Sequence, residues 1–321
     1  MISEEKTGKM RAVVARGYGG PDVLESVTVA LPEPGPGQVR IRVEAATVNP
    51  VDLVTRSGAL VEAGLMAARE CTGIGWDVAG TVDRLGAGVT AFAPGQRVIG
   101  LRDLLDVSVG AYAAYLVLDA TAVAPAPPGV GAAAAATLPL NGLTALQSLD
   151  LLDLATGDTV LVTGATGAVG AFAVELAARR GLRVVAQAGA ADEEFTRGLG
   201  AEWIVGRDTC DLAADVRGLV PGGVDGALDA AGLAVRALAA VRTRGAYVTV
   251  VGGSAPLPLR GIRVHQQWIS ADGAALSDLA AMDLTLRVAD VLPLERAPEA
   301  HERLAAGGVR GRLVLTPSGE A

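Results

Sequence analysis

The run Gly164-Ala165-Thr166-Gly167-Ala168-Val169-Gly170 constrains this chain more than any other feature. It stands between TVLVTG (159–164), a short continuously apolar run, and AFAVELAARRG (171–181), which reads as a helix. A strand, a glycine-rich turn and a helix in that order form the context a dinucleotide fingerprint requires. Gly164 permits the tight turn, Gly167 lets backbone N–H groups approach a pyrophosphate, and Gly170 lets the helix pack closely on its strand. The phosphates of a ligand would then sit at the positive end of a helix over 168–180. The other reading is a glycine-rich turn with a structural role alone. A second run, Gly86 to Ala91, also fits GxGxxA, but Pro94 follows it and forbids a helix, so it reads as a hairpin turn.

The surroundings of the first run repeat its rhythm. RVVAQ (183–187), EWIV (202–205), GALDAA (226–231) and AYVTVVGG (246–253) read as strands, separated by the helix-like DEEFTRGLG, DLAADVRGLV and LAVRALAAVRTRG. Such alternation means βαβ units and a parallel sheet. Gly181 stands where a C′ cap belongs, after Arg179 and Arg180 in the last turn of its helix. Upstream the period changes to two. In QVRIRVEAATV (38–48), Val39, Ile41, Val43 and Ala45 alternate with Gln38, Arg40, Arg42 and Glu44, the mark of a half-buried strand. VAGTVDRL (78–85), QRVIG (96–100) and YLVLD (115–119) follow between Gly and Pro residues, which predicts an all-β module over 10–125 after a floppy tail at 1–9. Pro125, Pro127, Pro128 and Gly129 mark a boundary. The chain closes with LERAPEAHERLAAGG as helix and GRLVLTP (311–317) as strand.

Composition narrows the function classes. Half of the 321 residues are apolar, 19% are charged and the mean hydropathy is +0.40, which excludes an intrinsically disordered chain. A net charge of −8 speaks against nucleic acid as partner, since phosphate binding needs a basic face. Cys71 and Cys210 are too far apart for a zinc knuckle, and His265 and His301 cannot form an HExxH site. The N-terminus MISEEKTGKM has no apolar core of a secretory signal, and no run approaches 18 apolar residues, so a cytoplasmic chain without a membrane partner is expected. Cys71 and Cys210 read as unreactive, His301 as solvated in a charged helix, His265 as structural and Trp76 as filling space.

Several segments resemble the medium-chain dehydrogenase/reductases, in particular the zinc-independent quinone oxidoreductase or zeta-crystallin-like branch. They are GYGGPDVLE (17–25), NPVD (49–52), GWDVAGTV (75–82), GAGVTAFAPGQRV (86–98), GAYAAYLVL (110–118), ATLPLNGLTALQSL (136–149), GATGAVG and VRGRLVLTP (309–317). The resemblance implies an α/β chain: a GroES-like β domain over 1–127 and 262–321, and a Rossmann domain, a doubly wound parallel sheet, over 128–261. It also implies a homodimer through the edge strand around AYVTVVGG and IRVHQQWIS, and a substrate in the cleft between domains. Segment 279–292 is shorter than in relatives.

The departures from that family matter. Where its zinc alcohol dehydrogenases carry a catalytic Cys and a His-Glu pair, this chain has Asn49, Trp76 and Asp77. Neither Asn nor Trp supplies the thiolate or imidazole that Zn²⁺ prefers, so no metal site is expected. NAD enzymes place an acid at the end of the second strand; here Ala188 and Gly189 stand there, and Asp192 and Glu193 read as caps of the next helix. That favours NADP (NADPH). Arg207, after the third strand, is the nearest cation for its 2′-phosphate, with a solvated loop charge as the alternative. Beyond Gly164 to Gly170, the resemblance implies cofactor contacts at Asn49, Thr144, Ala231, Gly252, Gly253 and Arg312.

A zinc-free member would deliver hydride to an already polarised acceptor, a quinone or an α,β-unsaturated carbonyl. Enoyl-thioester reductases of the family place a Tyr near NPVD, where this chain has Pro50, and no Tyr follows in LVTRSG. No general acid is identified, and solvent is a possible proton source. Cleft candidates are Asn49, with a strand-end cap as the alternative; Arg56, otherwise an exposed turn arginine; and Asn141, otherwise satisfying a helix end. A reductase tailoring a secondary metabolite and an inactive cofactor-binding protein remain the alternatives.

Overall fold

A strand that is apolar along its whole length needs cover on both faces. TVLVT meets that demand at the centre of a six-stranded sheet, in the computed structural model, which describes residues 8–317. Residues 1–7, most of the expected tail, and 318–321 lie outside the described residues. All six strands are parallel, in the spatial order Trp203–Gly206, Arg183–Ala188, Thr159–Thr163, Val224–Asp229, Val241–Thr249, Arg263–Gln266. Numbered along the chain this is 3-2-1-4-5-6, the doubly wound arrangement, and the order reverses between Thr159–Thr163 and Val224–Asp229. Leu161, Val185, Val205, Val224, Leu238 and Tyr247 form part of its core.

The expected helix LAVRALAAVRTRG is shorter in the structure. It runs only over Val235–Ala240, and VRTRG opens the strand Val241–Thr249. Val241 pairs with Val224, so sheet pairing takes over where β-branched Val241 and Thr243 weaken the helix. The helix Ala168–Arg179 follows the glycine run as expected, and Gly181 takes φ +74° just beyond it.

The second unit is built on a seven-stranded sheet with Gln38–Thr47 near its centre. Asp77–Leu85, Tyr115–Asp119 and Arg312–Thr316 all pair antiparallel with it, and Val288–Pro293 lies parallel to Arg312–Thr316. The C-terminal strand thus completes the sheet begun by the N-terminal segment. Val39, Ile41 and Val43 point into a core with Val78, Val98, Leu116, Leu292 and Leu315. Arg40 breaks the expected alternation by being buried. Its Nε meets Asp83 at 2.5 Å, its Nη1 meets Glu33 at 2.8 Å, and the guanidinium stacks on Tyr115.

The all-β expectation for 10–125 misses two α-helices, Pro50–Ser57 and the single turn Ala59–Glu62. In the longer one, Pro50 at the first position has no N–H to satisfy, Asn49 stands at the N-cap, and Gly58 ends the helix at φ +88°. Unit boundaries also differ from 127/128 and 261/262. The β unit takes Met1–Leu140 with Ser270–Ala321, and the parallel-sheet unit takes Asn141–Ile269. Ala132–Ala135 belongs with the β unit because it packs on Gln38–Thr47 and Asp77–Leu85. Arg263–Gln266 belongs with the other because it pairs with Val241–Thr249. No described helix is long and apolar enough to cross a membrane.

Candidate functional site

In a parallel sheet every strand ends on the same edge, so loops distant in sequence converge there. Strand ends at Thr163, Ala188, Gly206, Asp229 and Thr249 lead into the glycine run, Gly189, Arg207, Ala231 and Gly252–Gly253, so these sequence candidates share one edge. The glycines answer to distinct demands. Gly164 sits at φ +58°, where an L side chain is strained. A Cβ on Gly170 would stand 2.1 Å from Gly164 O, so the first turn of Ala168–Arg179 can approach the strand only with hydrogen there. Gly167 is exposed, and its Cβ would meet Gly164 O at 3.2 Å. It occupies the N-cap, where the first N–H groups of a helix lack intrahelical acceptors and favour an anion. Ala165 and Thr166 are buried, while Ala168 and Val169 are half-buried.

At the neighbouring strand end, Ala188 is buried and Gly189 half-buried; neither brings an acid. Asp192 stands at the N-cap position of Glu193–Gly198. Arg207 is exposed, its N–H donates to Ala188 O at 2.9 Å, and its Nη2 donates to Thr166 Oγ1 at 3.2 Å. The side chain is therefore drawn towards the glycine run. A dinucleotide's pyrophosphate fits this edge: it offers backbone donors, with a neutral strand end and the Arg207 cation beside them. Thr144 and Asn141 are buried on Pro139–Leu152.

The remaining candidates lie in the β unit, within a buried polar cluster. Asn49 is fully buried; its Nδ2 donates to Asp77 Oδ2 at 2.6 Å and to Thr47 Oγ1 at 3.0 Å. Asp77 also accepts from the Thr47 hydroxyl and from Leu140 N–H at 2.5 Å. Burial pushes its carboxyl up to about 6, against those donors and Arg312. Asp52 accepts from Asn49 N–H at 2.8 Å, Gly75 N–H at 3.0 Å and Tyr112 O–H at 3.3 Å, yet burial carries it to about 7, with Asp77 adding to the rise. Tyr112 Oη lies 3.2 Å from His301 Nε2. Arg312, at the start of its strand, is buried and lowered to about 10 by burial, opposed by Asp77 and Asp52.

Two sequence readings are corrected here. Arg56 is not an exposed turn residue: it sits in the last turn of Pro50–Ser57, buried, with Nε and Nη1 making no hydrogen bond. His301 is not solvated: it faces inward on Ala297–Ala306, fully buried against Tyr112, and burial with nearby Arg56 lowers it to about 3, so the imidazole is neutral. Sequence reasoning also passed over Asp52, Asp77 and Tyr112 as functional, although they lie inside the quoted segments. Asp229 was passed over too; an acid ending an apolar central strand is a signal, because such a group must find donors.

Zinc does not fit the residues at 49, 76 and 77. The donor set at 49, 76 and 77 is an amide, an indole and a carboxylate already engaged by three donors, and the described residues contain no cluster of three His, Cys, Asp or Glu.

Residues 35–128 match the family model described as alcohol dehydrogenase GroES-like domain, and residues 199–315 match the one described as zinc-binding dehydrogenase. A chloroplastic quinone-oxidoreductase homolog of Spinacia oleracea is 37% identical over 213 residues, 64% of this chain and 63% of that protein. The matched region thus spans under two thirds of that relative's length. Among solved structures, one of an NAD-dependent alcohol dehydrogenase is 31% identical with a TM-score of 0.84, covering 96% of this chain and 100% of its own. A mycobacterial protein complexed with NADPH is 30% identical with a TM-score of 0.81, over 96% and 100%.

Proposed function

We propose, since this chain belongs to the medium-chain dehydrogenase/reductase family on its quinone oxidoreductase branch, that it is a zinc-free, NADPH-dependent reductase of quinones or α,β-unsaturated carbonyls. The observation that carries the reading is the cradle at the sheet's switch point: Gly164 makes the tight turn, Gly170 lets the helix close on its strand, and exposed Gly167 leaves the helix N-terminus clear for a pyrophosphate. Bound NADPH supplies the hydride. The chain's own part is to bind and orient: the N-terminus of Ala168–Arg179 would hold phosphate oxygens, and Arg207 would pair the 2′-phosphate. Asn49 holds Asp77 and Thr47 in place through its amide. Reduction adds a hydride and one proton to the acceptor. The edge strand Arg263–Gln266, next to exposed Trp268, is the proposed dimer contact.

Initial rates of NADPH and NADH oxidation against an ortho-quinone and a 2-alkenal test the reading. Turnover with NADPH on either acceptor supports it and ranks the substrates. Binding of NADPH without turnover on either would overturn the quinone and enone assignment in favour of a tailoring or non-catalytic role. Arg207→Ala should weaken NADPH binding about 10- to 100-fold while leaving NADH within a few-fold, the effect of one charge-assisted phosphate contact. Equal losses for both cofactors would refute its assignment.

A further inference from the structure

A buried carboxylate must be met by donors or charge, because desolvation penalises it heavily. Asp229 is fully buried at the end of Val224–Asp229, beside the switch point. Its Oδ1 accepts from Thr163 Oγ1 at 2.5 Å and Ala231 N–H at 3.2 Å; its Oδ2 accepts from Ala234 N–H at 2.8 Å and Tyr247 O–H at 2.6 Å. These donors come from the two strands that flank Val224–Asp229 and from the loop that follows it. Thr163 is the residue before Gly164, and its Oγ1 also accepts from Ala231 N–H at 3.2 Å. Ala231 in turn packs on the first glycine: its Cβ and N lie 3.4 Å from where a Gly164 Cβ would be.

The loop 230–234 needs such a hold. Ala234 adopts φ +51° and ψ −116°, a region an L residue avoids, and a strained backbone persists only where neighbours over-determine it. The hydrogen bond from Ala234 N–H to Asp229 is one of those constraints. We infer that Asp229 is a positioning residue for the dinucleotide site, tying the turn Thr163–Gly164 to loop 230–234 so that both sides of the cradle keep one geometry. The inference rests on the cofactor reading above for its functional consequence, but not for the tie itself. Tyr247 serves as a permanent donor, since burial and Asp229 raise its hydroxyl well above the ordinary phenol range. A carboxylate is required at 229: an asparagine would turn an NH₂ towards two N–H or O–H groups, whichever way its amide is flipped.

The test compares wild type with Asp229→Asn and, should that variant misfold, Thr163→Val, which removes one tie and keeps the shape. Two readouts are taken well below the melting transition: hydrogen exchange at the Ala231 and Ala234 amides without cofactor, and the Kd for NADPH. Both variants should exchange at least about tenfold faster at these amides and bind NADPH about tenfold more weakly, the loss of one or two hydrogen bonds. KM for NADPH should rise with kcat largely retained, whereas a merely structural lesion would lower the active fraction and leave KM alone. Unchanged exchange and unchanged Kd would overturn the inference. Faster exchange in a protein whose wild type binds no NADPH would uphold the tie and defeat the cofactor reading instead.

Discussion

The parallel-sheet unit and the β unit each gather polar groups, but from different material. On the sheet edge the groups offered to a ligand are backbone N–H and bare glycine Cα atoms, and the buried carboxylate behind them, Asp229, is met by four donors. In the β unit the interior holds Asp52, Asp77, Tyr112, His301, Arg56 and Arg312, several of them far from their ordinary ionisation range. A site made of backbone depends on sterics and does not titrate. A cluster made of ionisable side chains responds to pH and to the loss of single hydrogen bonds. The two should therefore fail in different ways.

The largest expected effect is steric and falls on the cradle. Gly170→Val would drive a Cβ to 2.1 Å from Gly164 O and 2.7 Å from its carbon, so strand and helix must part. NADPH affinity should fall beyond measurement, and overpacking should destabilise the unit by about 1–3 kcal/mol. Gly167→Val separates the two consequences: the exposed site leaves room for the fold, but the side chain fills the anion position. It should abolish binding with little change in melting temperature. Unchanged NADPH affinity in that variant would sink the site assignment.

The same contrast explains what the sequence disclosed. The cradle was legible because its residues are contiguous and each glycine answers a steric demand that spacing alone expresses. The sheet was legible because continuous apolar strands alternate with helical stretches. The β-unit cluster was not, since Asp52, Tyr112 and His301 stand 60 and 189 positions apart along the chain. His301 lies among Glu299, Glu302 and Arg303, a neighbourhood that reads as solvated until Tyr112 is seen packed against its ring. Arg56 read as a turn residue because the short helix Pro50–Ser57 interrupts a β pattern. Asp229 fell between these cases: visible as an acid closing an apolar strand, but with a role set by Thr163 and Tyr247 from neighbouring strands.

Titration sharpens the comparison at intermediate magnitude. Asp52 keeps its proton to about 7 when folded, whereas an unfolded aspartate loses it near about 4. Stability from this group is full below about pH 4 and lost as pH rises towards 7, because the unfolded state releases its proton first. Asp77, held to about 6, slopes the same way. His301, depressed to about 3 from an ordinary value near 6.5, slopes oppositely: its contribution is full above about 6.5 and lost on acidification. The slopes oppose one another between about pH 4 and 6.5. Asp52→Asn should gain on wild type by roughly 3–4 kcal/mol as pH climbs from 4 to 8, and His301→Phe should flatten the acid side. Urea midpoints across that range check both. Curves parallel to wild type would mean these groups are not buried as described.

The smallest effect concerns two arginines in the β unit that are equally buried, both 7% exposed, and oppositely provided for. Arg40 reaches Asp83, Glu33 and Pro32 O, the last at 3.0 Å. Arg56 has two buried nitrogens with no hydrogen bond, and burial lowers its pKa against the weaker pull of Asp22 and Glu302. A buried charge without partners costs stability, and an apolar side chain of similar length removes that cost while keeping the packing. Arg56→Met should therefore be neutral or stabilise by up to about 1 kcal/mol. Arg40→Met should destabilise by about 1–3 kcal/mol, since it leaves Asp83 without its partner. Denaturant midpoints of the two variants decide the matter by sign. An Arg56→Met that destabilises as much as Arg40→Met would mean its guanidinium is bound in solution, and the contrast between a satisfied and an unsatisfied interior cation would no longer hold.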